Sequence, residues 1–241
     1  MNAPKRSLKL VHLYPEQMNI YGDWGNVLTI KKRAEWHGYN IVVEAYHPTT
    51  SFPKDADIII GGGGQDSGQS VIQDDLLRIG DDLKQQADQK TPMLMICGLY
   101  QLFGHFFQTH EGKRIQGIGL FDLETYAGDV RMIGNIVTAT EFGEVIGYEN
   151  HSGMTVLGDN QKSFGTVIKG AGNNGKDKTE GAIYKNVYGS YLHGSLLPKN
   201  PILADALIEV AATKKYGSFD PQFIDDSFAV AARTIARSRP R

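Results

Sequence analysis

Strand-like and helix-like segments alternate over residues 8–107, and this alternation limits the possible folds more than any other feature of the sequence. Short apolar or β-branched runs occupy residues 8–13, 39–46, 57–60 and 93–96. Segments with apolar residues at helical spacing lie between or after them, at 27–37, 71–87 and 98–107. Such alternation is typical of a mostly parallel sheet flanked by helices. It predicts an α/β fold.

The second half of the chain does not continue the alternation of strand-like and helix-like segments. Residues 121–126, 132–139 and 145–148 are short β-prone pieces, which predict antiparallel strands appended to the parallel sheet. Residues 170–181 are polar and Gly-rich and predict a mobile loop. Helical stretches at 201–216 and 221–237 close the chain. With 241 residues, 41% of them hydrophobic, a single domain over 1–241 can bury a full core.

Charge and cysteine content argue against several functions. The formal net charge of −2 argues against a surface that binds polyanions, so we expect no nucleic-acid partner. A single cysteine can form neither an internal disulfide nor a cysteine-based zinc cage, and we expect no metal. It fits a reducing compartment, which favours the cytoplasm. Since no apolar run reaches the roughly 18 residues of a membrane helix, we expect no membrane insertion.

That cysteine occupies an informative position. Cys97 follows the apolar run 93–96 and precedes Gly98, and the apolar period changes from strand to helix across the two residues. Cys97 is therefore expected on a tight bend, raised above the carboxyl edge of the sheet. The start of the following helix would favour a thiolate there. A small core residue is the alternative interpretation, and the bend alone leaves both open.

Four consecutive glycines, residues 61–64, follow the strand-like run 57–60. Bare backbone in such a loop can approach a ligand closely, so we interpret the loop as an anion or oxyanion cradle, with a flexible turn as the alternative. The loop lacks the Gly-Lys-Ser/Thr ending of an ATP-binding P-loop. Because the loop and Cys97 both follow strands of one predicted sheet, they are expected at the same edge.

A cysteine nucleophile needs a base, and His193 is the preferred candidate among seven histidines. It follows a strand-like segment, 182–192, and precedes a Gly-Ser turn, so it should project from the same sheet edge as Cys97. His151, in a polar turn, is the second candidate. An acid that would orient the imidazole is not apparent, because no Asp or Glu closely follows His193.

Six motifs, in this order, resemble those of the class I (triad-type) glutamine amidotransferases. In particular they resemble the cobyric-acid-synthase-like branch with its GatD-type glutaminase subunits of lipid II isoglutaminyl synthase. The motifs are Tyr-Gly-Asp-Trp-Gly-Asn at 21–26, Gly-Gly-Gly-Gly-Gln-Asp at 61–66, Cys-Gly-Leu-Tyr-Gln at 97–101, Arg-Met-Ile-Gly-Asn at 131–135, Gly-Tyr-Glu-Asn-His-Ser-Gly at 147–153 and Tyr-Leu-His-Gly at 191–194. The resemblance runs over nearly the whole chain. It implies the class I amidotransferase fold, a flavodoxin-like, mostly parallel sheet flanked by helices, and the hydrolysis of L-glutamine to glutamate and ammonia.

The resemblance also implies roles for Cys97, His193 and the residues around them. Cys97 would attack the side-chain amide of glutamine, and His193 would act as the base. Backbone N–H groups of Gly63, Gly64 and Gly98 would bind the oxyanion. One such donor is worth roughly 3 kcal/mol in other acyl-transfer enzymes.

Substrate and partner contacts follow from the same resemblance. Arg131 would bind the α-carboxylate of glutamine, and Gln101 would help to seat its amide. Ser195 stands where most class I members carry a glutamate, and a MurT-like Mur ligase subunit would supply the missing acid in trans. That partner would bind ATP and use the ammonia to convert D-glutamate of the lipid II stem peptide to D-isoglutamine. No cofactor is then expected on this chain.

Other functions fit parts of the sequence. A stand-alone γ-glutamyl cysteine hydrolase could use the same fold but would need an acid of its own. In corrinoid synthesis the glutaminase is normally joined to an ATP-binding synthetase domain, for which this chain has neither the length nor a P-loop. A flavodoxin-like module could hold a phosphate in the four-glycine loop while Cys97 is inert.

Overall fold

The fold contains twelve strands and six α-helices within residues 6–20 and 22–240, which are the residues that the computed structural model describes. The strands are β1 (Ser7–Leu13), β2 (Asn40–Tyr46), β3 (Ile58–Gly61), β4 (Met93–Ile96), β5 (Phe106–Gln108), β6 (Arg114–Gln116), β7 (Leu123–Thr140), β8 (Gly143–Leu157), β9 (Gly165–Lys169), β10 (Thr179–Glu180), β11 (Ala182–Tyr184) and β12 (Val187–Ser190). The helices are α1 (Trp24–Trp36), α2 (Asp66–Arg78), α3 (Gly80–Asp88), α4 (Gly98–Leu102), α5 (Pro201–Tyr216) and α6 (Ser227–Ser238).

The first sheet is the predicted parallel sheet. Its order is β11-β12-β4-β3-β1-β2, and every pair is parallel except β11 with β12. β3 and β4 are buried at every residue, as expected for strands covered on both faces by helices. The carboxyl ends of β1, β3, β4 and β12 lie at one edge of this sheet. In open α/β sheets this is the edge at which ligands bind.

The predicted antiparallel strands are present, and they form a sheet of their own. Its order is β10-β9-β7-β5-β6, with β8 paired to β7. β7 and β8 form a long hairpin, in which the register shifts between Ala127 and Met132. Such an irregularity bends a strand and re-aims its side chains. It lies beside Arg131, a predicted substrate residue.

The helices predicted over 98–107 and 71–87 were wrong in extent. The helix expected over 98–107 ends at Leu102, and Phe106 instead pairs with Glu124 of β7. Pairing with a neighbouring strand overrides the helical spacing of the apolar residues there. The helix expected over 71–87 is divided into α2 and α3 at Ile79. Gly80, a poor residue for a helix interior, begins the second of them.

The Gly-rich segment 170–181, predicted to be a mobile loop, is bonded to the second sheet. The carboxylate of the buried Glu149 accepts hydrogen bonds from the backbone N–H groups of Ala171 (2.8 Å) and Gly172 (2.9 Å). The side chain of Asn173, also buried, bonds to Thr179 and to Gly181. Buried polar groups of this kind require partners, and here the loop backbone provides them.

Helices α1, α5 and α6 are joined by one buried cation. The Arg33 guanidinium on α1 bonds to Asp205 on α5 and to Asp226 at the start of α6, each at 2.6 Å. α5 has the bounds that the sequence predicted, whereas α6 begins six residues later than expected, at Ser227. Across residues 6–20 and 22–240, no helix has both the length and the apolar character needed to cross a bilayer.

Candidate active site

Cys97 lies on a sharp bend between β4 and α4. Its φ of 49° and ψ of −101° are unusual for a residue with a side chain. The bend is held by two backbone hydrogen bonds: Cys97 N–H donates to Ser190 (2.8 Å), and the Cys97 carbonyl accepts from Gln101 (2.9 Å). Strain of this kind often accompanies a functional residue, because it lifts the side chain out of the sheet. Cys97 as a whole residue is 6% exposed.

His193 and Cys97 converge on Gly63 of the four-glycine loop. A Cβ atom placed on Gly63 would lie 2.8 Å from His193 Cε1 and 3.1 Å from Cys97 Cβ. The His193 backbone is fixed by paired hydrogen bonds with Tyr148 of β8. The structure therefore brings the predicted nucleophile and the predicted base to the loop that was predicted beside them.

The charge on His193 is set by its two neighbours. Burial lowers the pKa of His193, but the Cys97 thiolate and a contact with the Asp23 carboxylate outweigh this effect and raise the pKa to about 10. At neutral pH the imidazole is therefore protonated beside the sulfur. This is the charge state in which cysteine–histidine pairs hold an active thiolate.

The three glycines predicted to bind an oxyanion differ in their surroundings. The Gly63 N–H donates to Asp23 Oδ2 at 2.7 Å, so this donor is directed away from a bound substrate. Gly64 and Gly98 face one another, since a Cβ on Gly98 would lie 3.0 Å from Gly64 N. Gly98 also begins α4, where backbone N–H groups point out of the helix. These two glycines remain as the candidate oxyanion donors.

A cavity of about 370 Å³ opens beside Cys97. This volume is at the lower end of the range for small-molecule sites. Its lining includes Gly64, Gln101, Arg131 and His151. Arg131 is exposed, and its Nε donates to Asn150 Oδ1 at 2.7 Å, which holds the guanidinium at the cavity wall. The structure thus places a cation within the same cavity as the sulfur.

Gln101 belongs to a chain of buried hydrogen bonds. Its Oε1 accepts from Gln69 at 2.8 Å, and its Nε2 donates to the Tyr191 hydroxyl at 3.0 Å. The Tyr191 hydroxyl in turn contacts Thr155 Oγ1 at 2.6 Å. A network of this kind gives its members a fixed position. Gln101, predicted to seat the substrate amide, is therefore a rigid part of the cavity wall.

His151, the second candidate for the base, lies in a different environment. Its ring stacks on Tyr191, with the centroids 3.5 Å apart and the planes 3° apart. Its Nδ1 lies 3.0 Å from the carbonyl oxygen of Gly153. Burial lowers the pKa of His151 to about 3, so the ring is neutral. Without a positive charge it cannot hold the sulfur as a thiolate, and His193 is the better base.

Asp23 is the residue of the site that the sequence reasoning missed. It precedes α1, is fully buried, and its Oδ1 lies 3.8 Å from His193 Nδ1. The signal for it was present in the motif at 21–26, where Asp23 is the only acid. In the sequence the motif contributed only to the family resemblance, and no role was predicted for Asp23. Tyr21 of the same motif lies outside the described residues.

Glu180, also fully buried, should make stability fall as the pH rises. Burial raises the pKa of Glu180 from 4.5 to about 8, despite a 2.7 Å hydrogen bond from Tyr191 N–H. Between these two values the folded chain holds a proton that the unfolded chain has released, so unfolding becomes easier with rising pH. Glu180→Gln should remove the part of this dependence that Glu180 contributes, while the part from His193, whose pKa is also raised, remains. We expect the wild type to lose roughly 2–4 kcal/mol relative to the variant between about pH 5 and pH 9, measured by urea unfolding.

Glu209→Gln is the matched control for this prediction. Glu209 is exposed on α5, so its replacement should leave the pH dependence of the free energy of unfolding as in the wild type. Equal pH slopes for Glu180→Gln and the wild type would show that Glu180 is ionised in the fold at neutral pH.

No group of three or more His, Cys, Asp or Glu side chains in the described part of the chain is arranged to hold a metal ion. The site consists of a sulfur, an imidazolium, a carboxylate, backbone N–H groups and a guanidinium around one small cavity. Such a set can carry out nucleophilic acyl transfer on a small carboxylate-bearing substrate.

The family model that this chain matches and the relatives that it resembles agree with one another. Residues 9–201 match the family model described as the CobB/CobQ-like glutamine amidotransferase domain. The chain is 35% identical to a protein of Staphylococcus aureus (strain N315), and the alignment covers 96% of each chain. It is 42% identical to a protein of Streptococcus pneumoniae (strain ATCC BAA-255 / R6), and that alignment covers 87% of this chain and 82% of the relative. Both are named lipid II isoglutaminyl synthase (glutamine-hydrolyzing) subunit GatD.

A solved structure of a glutamine amidotransferase has the same fold. It superposes with a TM-score of 0.58 at 13% identity, covering 84% of this chain and 98% of its own. The structure of PurLQS from Thermotoga maritima has a TM-score of 0.53 at 15% identity and covers 87% of this chain and 99% of its own. At these identities the likeness concerns the fold alone. It confirms the class I fold that the motifs implied.

Proposed function

This chain belongs to the CobB/CobQ-like glutamine amidotransferase family, and from that premise we propose that it is a glutaminase subunit that hydrolyses L-glutamine through Cys97 and His193. The observation that supports this most directly is the convergence of both side chains on Gly63, beside a cavity that also contains Arg131.

In the first half of the proposed reaction the Cys97 thiolate attacks the side-chain amide carbon of glutamine. The oxygen of that amide becomes an oxyanion, for which the N–H groups of Gly64 and Gly98 are the nearby donors. The His193 imidazolium gives its proton to the amide nitrogen as the carbon–nitrogen bond breaks. Ammonia leaves, and a thioester between Cys97 and the glutamyl group remains.

In the second half, water releases the product. Neutral His193 takes a proton from a water molecule, which attacks the thioester carbon. The carbon–sulfur bond then breaks, glutamate leaves, and the Cys97 thiolate and the His193 imidazolium are restored. The balance of the two halves is one glutamine and one water consumed, and one glutamate and one ammonia formed.

Arg131 is proposed to bind the α-carboxylate of glutamine, so Arg131→Met should weaken substrate binding. Loss of a charge-assisted hydrogen-bond pair is worth about 1.5–3 kcal/mol, which corresponds to a KM roughly 10- to 100-fold higher. The kcat should change little, because Arg131 is not expected to contact the reacting amide. Steady-state glutaminase kinetics test this.

Arg114→Met is the control for that prediction. Arg114 also donates from its Nε to a side-chain amide oxygen, that of Gln108, but it does not line the cavity. Its replacement should leave KM unchanged. If Arg131→Met instead lowers kcat at constant KM, Arg131 acts on the transition state and not on substrate binding.

The use of the ammonia is proposed from the two relatives, whose alignments cover nearly all of this chain. Their names identify each as one subunit of a lipid II isoglutaminyl synthase. We infer that this chain likewise passes ammonia to a MurT-like Mur ligase subunit. With ATP bound on that subunit, ammonia would amidate D-glutamate of the lipid II stem peptide to D-isoglutamine, on the cytoplasmic side during peptidoglycan synthesis.

The function can be tested with the full chain and a diazoketone analogue of glutamine. We expect covalent labelling at Cys97, protection by L-glutamine, and equal amounts of glutamate and ammonia from glutamine. The complex purified from the native host should also amidate lipid II in the presence of ATP. Cleavage of γ-glutamyl peptides without any partner would favour the stand-alone hydrolase. Absence of labelling and of glutamine hydrolysis, both alone and in the complex, would favour the phosphate-binding module.

A further inference from the structure

We propose that Asp66 binds the α-ammonium group of glutamine, so that this chain selects substrates with a free α-amino group. This role rests on the proposed function and deepens it, because it concerns which molecules the same site accepts. Asp66 is the last residue of the motif at 61–66 and follows the four-glycine loop and Gln65. It is exposed, and it lines the cavity beside Cys97.

The charges in the cavity wall match the two charges of an amino acid. Among the described residues that line the cavity, Asp66 is the one acid and Arg131 is the one permanently charged base. His151 is neutral, since burial lowers its pKa to about 3. Glutamine carries a carboxylate and an ammonium group on one carbon atom, and each is bound best by a group of opposite charge. Arg131 is proposed to bind the carboxylate, which leaves Asp66 for the ammonium group.

The other polar side chains of the wall are less suited to an ammonium group. Gln101 Oε1 and Asn150 Oδ1 each accept a hydrogen bond already, at 2.8 Å and 2.7 Å. The remaining polar side chains offer neutral amides or hydroxyls only: Gln65, Ser67, Gln69 and Ser152. A hydrogen bond between two charged groups is roughly twice as strong as one between neutral groups. The carboxylate of Asp66 is therefore the favoured acceptor.

The beginning of α2 is fixed against the cavity wall, and this fixes the position of Asp66. Asp66 is the first residue of this 13-residue helix, where the helix dipole stabilises a negative charge. One turn later, Gln69 is 1% exposed. Its Nε2 donates to the Gly98 carbonyl at 3.0 Å and to Gln101 Oε1 at 2.8 Å. These two bonds join the first turn of α2 to α4, the helix that begins directly after Cys97.

The spacing of Asp66 from the candidate oxyanion donor Gly64 suits the length of glutamine. The two residues are two positions apart, so their Cα atoms lie at most about 7 Å from one another. In extended glutamine four bonds of about 1.5 Å separate the amide carbon from the α-nitrogen, which is a span of roughly 5 Å. With the amide at Gly64, the ammonium group therefore lies within reach of the Asp66 side chain.

The consequence is that the substrate is selected by its α-amino group. Glutaramate, which is glutamine without that group, keeps the carboxylate and the amide but offers no cation to Asp66. A site built to bind a polar group discriminates against an analogue that lacks it. Solvent screens the charge of an exposed carboxylate in part, which limits this discrimination. We expect the wild type to show a KM for glutaramate roughly 5- to 30-fold higher than for L-glutamine.

Asp66→Asn tests this role, because it keeps the shape of the side chain and removes the charge. The KM for L-glutamine should rise roughly 5- to 30-fold, and kcat should change less than about threefold. The KM for glutaramate should stay as in the wild type. A structural defect of the cavity would instead weaken both substrates alike. Steady-state ammonia release measures both reactions.

Asp74→Asn is the matched control, because Asp74 is also exposed on α2 but does not line the cavity. It should show wild-type KM values for both substrates. If Asp66→Asn keeps a KM for L-glutamine within twofold of the wild type, or raises both KM values by the same factor, the role of Asp66 is overturned. The proposed function stands in that case, since glutamine is still hydrolysed.

Calorimetric titration of L-glutamine into Cys97→Ser, with and without Asp66→Asn, makes the test independent of turnover. We expect the added change to raise the Kd roughly 5- to 30-fold. Equal Kd values, or no binding to either chain, would overturn the role of Asp66. A wild type that hydrolyses no glutamine, alone or in the complex purified from the native host, would refute the proposed function. A Kd that depends on Asp66 would still support the binding of the ammonium group.

Discussion

Replacing Cys97 with alanine is expected to abolish glutamine hydrolysis and labelling by the diazoketone analogue. The sulfur forms the proposed thioester, and no other side chain in the described part of the chain can replace it, since the sequence contains no second cysteine. Loss of the nucleophile from such a dyad should lower kcat by about 10⁴-fold or more. Ammonia release from the purified variant measures this.

Cys97→Ser is the companion variant, because it keeps the size and the bend but replaces the thiolate with a poorly ionised hydroxyl. We expect it to bind glutamine with an affinity similar to that of the wild type and to turn over at a rate close to that of Cys97→Ala. Calorimetric titration with glutamine separates binding from chemistry. Activity of Cys97→Ala above about one hundredth of the wild type would mean that the reaction does not pass through this sulfur.

Gly63→Ala is expected to cause the second large loss of activity. The added methyl group would lie 2.8 Å from His193 Cε1 and 3.1 Å from Cys97 Cβ. Neither side chain can move away easily, since His193 is buried within the fold and Cys97 is fixed on its bend. Separation of the dyad by about 1 Å should lower kcat roughly 10²-fold. The measurement is kcat at saturating glutamine.

Gly80→Ala is the matched control for that variant. It also adds a methyl group to a buried glycine, but the nearest atom, at 3.0 Å, is a methyl carbon of Ile118, and the site lies in α3. We expect wild-type kinetics from it. A Gly63→Ala chain with normal kcat would show that the loop is more adaptable than the geometry indicates, and that sulfur and imidazole do not depend on its shape.

Much of the first sheet could be predicted from the sequence. The runs at 8–13, 39–46, 57–60 and 93–96 correspond to β1, β2, β3 and β4, and the helix predicted at 201–216 is α5. The spacing of apolar residues was enough to predict these elements, because each of them is buried in a regular way by its neighbours. The predictions that failed, such as a continued helix at residues 103–107, concern segments where pairing with β7 decides the conformation.

Some features of the candidate site could be predicted from the sequence, and others could not. From the sequence alone one could predict that Cys97 lies on a strand-to-helix bend, that four glycines end a neighbouring strand, and that six motifs resemble those of one family. That Asp23 faces His193 and that the Gly63 N–H donates to Asp23 became visible only in the folded chain. The spacing of apolar residues along a segment indicates how that segment is buried. A contact between residues 23 and 193 depends instead on the order and register of the strands that bring distant segments to one edge of the sheet.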